Sequence, residues 1–575
     1  MRKLKYIAIA LTAALATVSC SDDHFNIDPN VEGQKTLWEN ISNNPELSQF
    51  AYILENTYHS KSEGTRTEVK YSELLDHDQR FTIWAPVNDS FDFEYYKNLL
   101  AKGDQESNYL VEKELIQNNM VRFNNVVNGN KDKDITLFNN KTTVLDCSNF
   151  TIGGKSITTP NLSCSNGVLH ITEAPIDYNL NLYEFISAHE GLDSLRDFLR
   201  SYEKYYFDEY SSTQGPTING NITWVDSVQH LSNEYFSLMG ADISIEDSLY
   251  AMVLPTNEAW EEALARTKNY FKYMPTYTQT ITTINDKGES SDKKTTKTYT
   301  EEELDSIVNL YSKNAICQDL VFNAKHQFKT FNIDEPYDCD SLYTTAGAII
   351  RTPNVEPIFK DAQRFTMSNG YGYVTNKFSY TPQDTWAYKK EIEAEYNSYV
   401  ESNRYCKVEP FVVGYQFQDS IIEMMMMKTP LAASSSNPEI TYKLQGILSC
   451  KYDIFVVMGY NFEADQQIKF KASLSYHDGK KATQTTYNFK PETGDIHDGA
   501  EKSAFINRIC PFTNDNDDLC LTDTICLAHD FEFPVCYKGT DFYPTLKLSA
   551  ITPKDKTKFT REFWIDKILL IAKDE

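Results

Sequence analysis

Three short blocks of this chain occur in order and then occur again, and no other feature restricts its fold as much. The first block, 37–54 (LWENISNNPELSQFAYIL), aligns without a gap on 182–199 (LYEFISAHEGLDSLRDFL), with six identical positions, among them Leu37/Leu182, Glu39/Glu184 and Ile41/Ile186. The second, 81–91 (FTIWAPVNDSF), recurs as 250–260 (YAMVLPTNEAW). The third, 165–172 (SNGVLHIT), recurs as 368–375 (SNGYGYVT). An ordered repeat of this length implies two copies of one domain.

Each block has a physical reading. Leu47, Phe50, Ile53 and Leu54 share a 3.6-residue stripe, which predicts a helix with one face inward. Phe81–Ala85 reads as a buried strand that stops at Pro86, because proline cannot donate to a ladder. Asn88 is then expected to cap the following turn, with Phe91 and Trp260 packing that turn onto the core. Asn166-Gly167 and Asn369-Gly370 read as turns tolerating positive φ before a last strand. Pro86 to Ser165 is 79 residues and Pro255 to Ser368 is 113, so the second copy carries an insertion. The polar, threonine-rich stretch 276–300 is its expected place, as an exposed loop or hairpin.

These blocks resemble the signature of the fasciclin domain: an opening amphipathic helix, a strand-turn-helix of the type F-T-x-F-A-P-T-N-D-A-F, and a closing N-G-V-V-H-V strand. Phe81-Thr82-Ile83-Trp84-Ala85-Pro86-Val87-Asn88 and Asn166-Gly167-Val168-Leu169-His170-Ile171 carry the resemblance in the first copy. The second copy departs from it at Leu254 and at Tyr371-Gly372-Tyr373. A middle-region histidine typical of that family falls at His326, where the first copy has Asn118 or Asn119. The resemblance implies tandem α+β domains with a mixed α/β core and a β-wedge, and a role in adhesion.

From about Glu391 the pattern changes. Ile468, Phe470, Ala472, Leu474 and Tyr476 alternate with polar residues as in a half-buried strand, while 452–458 and 568–571 read as fully buried ones. Many short strands separated by turn signals predict an all-β, jelly-roll-like sandwich. Its closing stretch, Phe563 to Leu569, resembles the last strand of carbohydrate-binding modules. The expected organisation is a signal peptide (1–19), a lipidated tether (20–35), fasciclin-like domain 1 (36–180), fasciclin-like domain 2 (181–390, polar insertion near 274–302) and the sandwich (391–575).

The N-terminus reads as an export signal. Arg2, Lys3 and Lys5 precede a short apolar run, 7–16, that ends at Thr17-Val18-Ser19-Cys20, which resembles a bacterial lipoprotein box. Cys20 is the expected acylation site, anchoring the mature chain to the outer membrane. Ser21, Asp22 and Asp23 resemble the acidic export tag of surface-exposed lipoproteins of gut-type Gram-negative bacteria. The other ten cysteines fall two, two and six in the three domains. Even numbers are compatible with disulfides in an oxidising compartment, with free buried thiols as the alternative.

No catalytic motif is present, and neither a metal site nor a cofactor is expected. His189-Glu190 is followed by Asp193 where a zinc helix needs its second histidine. Asn514 to Asp518 has the composition of a calcium loop but reads as a solvated acidic turn. A net charge of −27 argues against nucleic acid, whose binding rests on basic phosphate contacts. Trp38, Trp84 and Trp260 lie inside repeated blocks and are expected in cores, which leaves Trp224, Trp386 and Trp564 as candidate ligand contacts. The expected function is non-catalytic capture of extracellular glycan or protein, as an accessory of a SusC/SusD-like transporter by analogy. The alternative is attachment to matrix or to neighbouring cells.

Overall fold

The computed structural model describes residues 33–573 apart from 130, 218–219, 285–289, 325–338, 418–419, 429–436, 460–465, 492–503, 511 and 515–517. Cys20, Ser21, Asp22, Asp23 and His326 lie outside the described residues.

The first repeat opens on helices α1 (Leu37–Ser42) and α2 (Ser48–Asn56), and its sheet contains β1 (Phe81–Pro86), β2 (Met120–Arg122), β3 (Lys155–Cys164) and β4 (Gly167–Thr172). The second has α3 (Leu182–Ala188), α4 (Asp193–Arg200), β5 (Glu203–Phe207), β6 (Gln229–Asn233), β7 (Tyr250–Pro255), α5 (Asn257–Lys268), β8 (Thr276–Ile284), β9 (Ser290–Thr298), β10 (Val321–Asn323), β11 (Gln363–Met367) and β12 (Gly370–Thr375). Strand order is β2-β1-β4-β3 in one and β10-β7-β12-β11 in the other, which is the same arrangement. Register agrees too: Phe81 pairs with Gly167 in a parallel ladder and Tyr250 with Gly370, through to Pro86–Thr172 and Pro255–Thr375. Tandem α+β units are therefore present as the repeat implied.

Two asparagines join the three blocks. Asn166 accepts from the Leu37 N–H at the start of α1 (2.8 Å) and donates to the carbonyls of Leu75 and His77 (both 2.7 Å). Asn369 repeats this with Leu182 (2.9 Å), Ile243 (2.8 Å) and Ile245 (2.9 Å). Asn88 does not cap its own turn as expected. Its Oδ1 accepts from Gln49 N–H (2.9 Å) at the start of α2, and Asn257 accepts likewise from Ser194 (2.9 Å) at the start of α4. Each caps a helix distant in sequence, satisfying a donor that the first turn of a helix cannot pair internally. The glycines after the block-three asparagines also answer to the neighbouring strand. A Cβ at Gly167 or Gly370 would sit 2.0 Å from the carbonyl oxygen of Phe81 or Tyr250.

Block one is broken by Pro45 into two helices and not one, yet its stripe faces inward as expected, with Leu47, Phe50, Ile53 and Leu54 buried. The facing positions of blocks two and three exchange bulk between the copies. Trp84 stacks on His170 at 5.7 Å in the first, whereas Val253 faces Tyr373 in the second, and Tyr373 meets Phe359 edge-on at 5.0 Å. Buried His170 accepts from Asn161 N–H (3.2 Å) and lies 2.9 Å from the Asn125 carbonyl. Burial pushes its imidazole down to about 4, so it is a neutral structural group.

The sandwich adds β13 (Lys390–Glu393), β14 (Val400–Arg404), β15 (Glu409–Phe417), β16 (Ser420–Lys428), β17 (Glu439–Lys443), β18 (Lys451–Met458), β19 (Gln467–Tyr476), β20 (Thr485–Asn488), β21 (Asp523–Glu532), β22 (Thr545–Ala550) and β23 (Trp564–Ala572). One sheet runs β15-β16-β23-β18-β21, with β13 also on β23, and the other runs β14-β17-β22-β19-β20. Ile454, Val456 and Leu570 of the first sheet share a core with Tyr442, Phe470 and Leu548 of the second. The side chains of Met424 to Met427 lie outside the described residues.

The three units are not equally independent. The first repeat has clusters of its own, but one continuous apolar cluster runs from Leu182 through the second repeat to Ala572 in the sandwich. The 276–298 insertion is a hairpin, β8-β9, and its base is not exposed as expected. Buried Tyr277 stacks on Phe542 at 5.3 Å and donates to the Cys536 carbonyl (2.9 Å), while Thr278 N–H donates to Ala482 O (2.7 Å). Thr278 and Gln279, also buried, add bonds to His477 and to Tyr543 N–H.

The ten cysteines among the described residues are free thiols. Cys147 and Cys164 sit in separate clusters of the first repeat, and burial with no offsetting cation raises the Cys164 thiol to about 11.

Contact between the repeats centres on Lys141, which is almost fully buried. It reaches Glu246 (2.7 Å), Glu184 (3.3 Å) and Ser368 Oγ (3.0 Å). Glu184 also pairs with Lys113 and closes the capping box of α3 with Asn181. Burial alone would raise its carboxyl, yet Lys113 and Lys141 hold it down to about 2.

Asn166→Ala and Asn369→Ala should each cost roughly 3 kcal/mol, since each strands several buried backbone groups; denaturant titration checks this, and a loss below about 1 kcal/mol would contradict the clamp. Because Glu184 titrates below its ordinary 4.5 in the fold, the stability it contributes is present above pH 4.5 and lost as pH falls toward 2. Lys141→Met, which takes the cation from Glu246 and leaves Glu184 with Lys113 alone, should cost on the order of 3 kcal/mol at pH 7 and flatten the acid limb of a stability–pH profile.

Candidate functional site

The segment between the last strand of the second repeat and the sandwich is aromatic and tightly anchored. Phe378 and Tyr380 stack at 4.8 Å, and Trp386 packs on Phe378 (6.1 Å) and edge-on to Tyr270 (6.0 Å). The Arg266 guanidinium lies 5.7 Å from the Trp386 ring centre and donates to the Tyr380 carbonyl (2.9 Å). Ala387 N–H returns to Pro382 O (2.7 Å), and Lys390 then enters the sandwich as the start of β13. This bracing presents Tyr388, 56% exposed, as a ring standing out from a fixed backbone.

Tyr388 separates two hollows. The first, about 390 Å³, is lined by Trp386, Tyr388, Lys390, Tyr399, Gly446 and Lys538, among others. The second, about 480 Å³, is lined by Asp319, Gly347, Arg351, Asp384, Tyr388 and Lys389, among others. Both fall within the range of roughly 300–1,000 Å³ common for small-ligand sites. The first draws on the linker, on β13, on the turn after β17 and on the loop after β21, so the junction itself builds it.

Two half-buried cations line the first hollow. Lys390 and Lys538 make no ion pair among the described residues, although carboxylates outnumber cationic side chains 82 to 55. Burial lowers both ammonium groups, Lys538 lowering Lys390 further, while Cys536 and Asp319 partly offset the effect at Lys538. The Lys390 ammonium faces Gly446 so closely that a Cβ there would lie 3.0 Å from Nζ. Gly446 has φ +65°, a conformation that glycine adopts without strain. Glu391 at the rim is already held by Lys389 and by Lys567 (3.2 Å). The indole N–H of Trp386 is buried without an acceptor. Aromatic faces and two cations can orient a ligand; no nucleophile–base pair accompanies them in the lining.

Of the three tryptophans named from sequence, only Trp386 lies at this junction. Trp224 is half-buried on the β5–β6 connection, edge-on to Phe207 at 5.1 Å. Trp564 is 3% exposed at the start of β23, inside the sandwich and not on its surface. Lys390, Lys538, Tyr388 and Tyr399 were not picked out from sequence. The run Trp386-Ala387-Tyr388-Lys389-Lys390 was a visible hint, but Lys538 reaches it only through the fold. Asp518 N–H donates to Asn514 Oδ1 (2.8 Å), the three residues between them lie outside the described ones, and among the described residues no group of three His, Cys, Asp or Glu side chains is placed to hold a metal. No helix among the described residues is long and apolar enough to cross a membrane.

No family model matches the chain, and no curated protein matches it. Among solved structures it aligns with a FAS1 domain pair from the insect cell adhesion molecule fasciclin I, at 10% identity over 53% of this chain and 90% of that one, TM-score 0.19. It also aligns with a chain solved for the promiscuous specificity of carbohydrate-binding modules of the β-sandwich superfamily (12% identity, 41% and 70% coverage, TM-score 0.15). A third is the CBM22-1–GH10 portion of Clostridium thermocellum xylanase 10B with xylohexaose (13% identity, 32% and 29% coverage, TM-score 0.17). At these TM-scores the alignments carry no argument, and the fold rests on the strand order and register above.

The anchoring makes a separable expectation. Trp386→Ala should cost about 3–5 kcal/mol because it empties a packed site. Tyr388→Ala should stay within about 0.5 kcal/mol. Thermal and denaturant unfolding of the two variants would show whether Tyr388 is held out for something other than stability.

Proposed function

We propose that this chain is a non-catalytic binding protein, displayed at the bacterial surface by a lipid on Cys20, that captures extracellular glycan at the junction of the second repeat and the sandwich. The observation that carries this reading is the exposed Tyr388 ring on a braced linker between two hollows, one of them bearing two cations that make no ion pair among the described residues. An exposed ring costs solubility without adding to the core, whereas a flat apolar face with polar neighbours suits the alternating faces of a sugar. The lipoprotein-box resemblance and the acidic Ser21-Asp22-Asp23 support the address, and the resemblance of the closing strand to carbohydrate modules supports the ligand class. Delivery to a SusC/SusD-like transporter is the accompanying proposal.

A second reading has its own observation. Strand β5 and the β5–β6 connection of the second repeat carry exposed Tyr206, Phe207, Tyr210 and Val225, large apolar side chains of the kind found at protein contacts. Adhesion through these side chains predicts loss of cell attachment, not of growth on a glycan, when the residues are changed.

Metabolic labelling with an alkynyl fatty acid should tag the wild-type chain and leave Cys20→Ala untagged; labelling unaffected by the substitution would remove the anchor. A glycan array probed with the soluble chain should give signals that Tyr388→Ala abolishes. Silence of the wild type, on arrays where known modules score, would remove glycan capture.

A further inference from the structure

Resting on the glycan-capture reading, we infer that the site selects an acidic oligosaccharide: one sugar carrying a carboxylate or sulfate ester lies between Lys390 and Lys538, and the next crosses Tyr388 into the adjoining hollow.

Three observations carry the charge. Both lysines line one hollow, both are half-buried, and neither makes an ion pair among the described residues, each lying over an aromatic ring, Tyr388 and Tyr311 respectively. Glu391, the carboxylate that lines the hollow with them, is engaged by Lys389 and Lys567. Asp319 is close enough to act on Lys538, but it accepts from Thr344 Oγ1 (2.6 Å) and lines the other hollow. Partial burial keeps water from fully solvating two neighbouring ammonium groups, so an anion brought between them replaces lost hydration and cancels their repulsion. Gly446 matters here for what it lacks, because any side chain would press on the Lys390 ammonium and fill the space an anion would use.

Length follows from the two hollows. They share Tyr388 as a lining residue, so a ligand that fills one and continues must pass over that ring. Arg351 and Lys389 give the second hollow cations as well, though Lys389 is paired with Glu391 and Asp384 and Asp319 stand beside them. The anion requirement is therefore assigned to the first hollow.

The test is calorimetric titration of the full mature chain with four tetrasaccharides: tetragalacturonate, which carries only carboxylates, and a κ-carrageenan tetrasaccharide, which carries only sulfate esters, as acidic probes, with xylotetraose and cellotetraose as neutral ones. An acidic probe should bind at least about tenfold more tightly than the neutral ones, and Lys390→Gln/Lys538→Gln should lose about tenfold or more of that affinity and with it the preference for acidic over neutral probes. Which acidic probe wins tells carboxylate from sulfate. Lys390→Arg/Lys538→Arg, which keeps the charge, should retain acid preference and so separates charge from folding. Equal binding of acidic and neutral probes, or an unchanged double Gln variant, overturns the acid selectivity while leaving glycan capture standing. Failure of every sugar with the wild type overturns both. A polyglutamate peptide that displaces the acidic probe at equal concentration would make this a peptide groove and sink the sugar assignment.

Discussion

The architecture depends on a pair of asparagines used twice. Asn166 and Asn369 tie the last strand of a repeat to the start of its first helix, and Asn88 and Asn257 tie the end of the central strand to the start of the second. Each asparagine side chain satisfies backbone groups that helix geometry leaves open, and it does so across 39 to 187 positions of sequence. Local caps such as Asn181 with Glu184 finish a helix end on itself, and apolar burial has no direction; the clamps are what tie each helix start to a particular strand end. With them, helix ends, strand register and the glycine that admits a neighbouring carbonyl are fixed together.

This explains what could be read from the sequence. The three blocks stand out because they are the parts that bond to one another, and the exchange of Trp84–His170 for Val253–Tyr373 shows bulk traded between facing strands. The sandwich strand 467–476 was legible from its alternation alone. Asn88 was misread as a local cap because nearness in sequence is the only distance a sequence shows. The seat of Tyr277 was missed for the opposite reason, since one ring in a polar stretch has no period. The candidate site was half legible: Trp386 drew attention as an unexplained tryptophan, whereas Lys538 lies 148 positions beyond Lys390 and meets it only after both sheets have formed.

Charge is distributed with similar economy. Lys141 and Lys113 are drawn to Glu184 and Glu246 between the repeats, and Lys567 is shared by Glu391 and Glu393. The two lysines beside Trp386 make no ion pair among the described residues; Lys390 lies over the Tyr388 ring (5.9 Å) and Lys538 over the Tyr311 ring (5.7 Å), and both line open space.

The continuous core from Leu182 to Ala572 has a genetic corollary. Proteins assembled from beads on a string can exchange a bead by recombination at the linker, because each carries its own interior. Here a crossover after the second repeat would lay bare Tyr277 on one product and the surface around Cys536 and Phe542 on the other. The segment inherited as one piece is therefore the second repeat with its sandwich, and the first repeat, with its separate clusters, is the portion that gene rearrangement could duplicate, drop or replace.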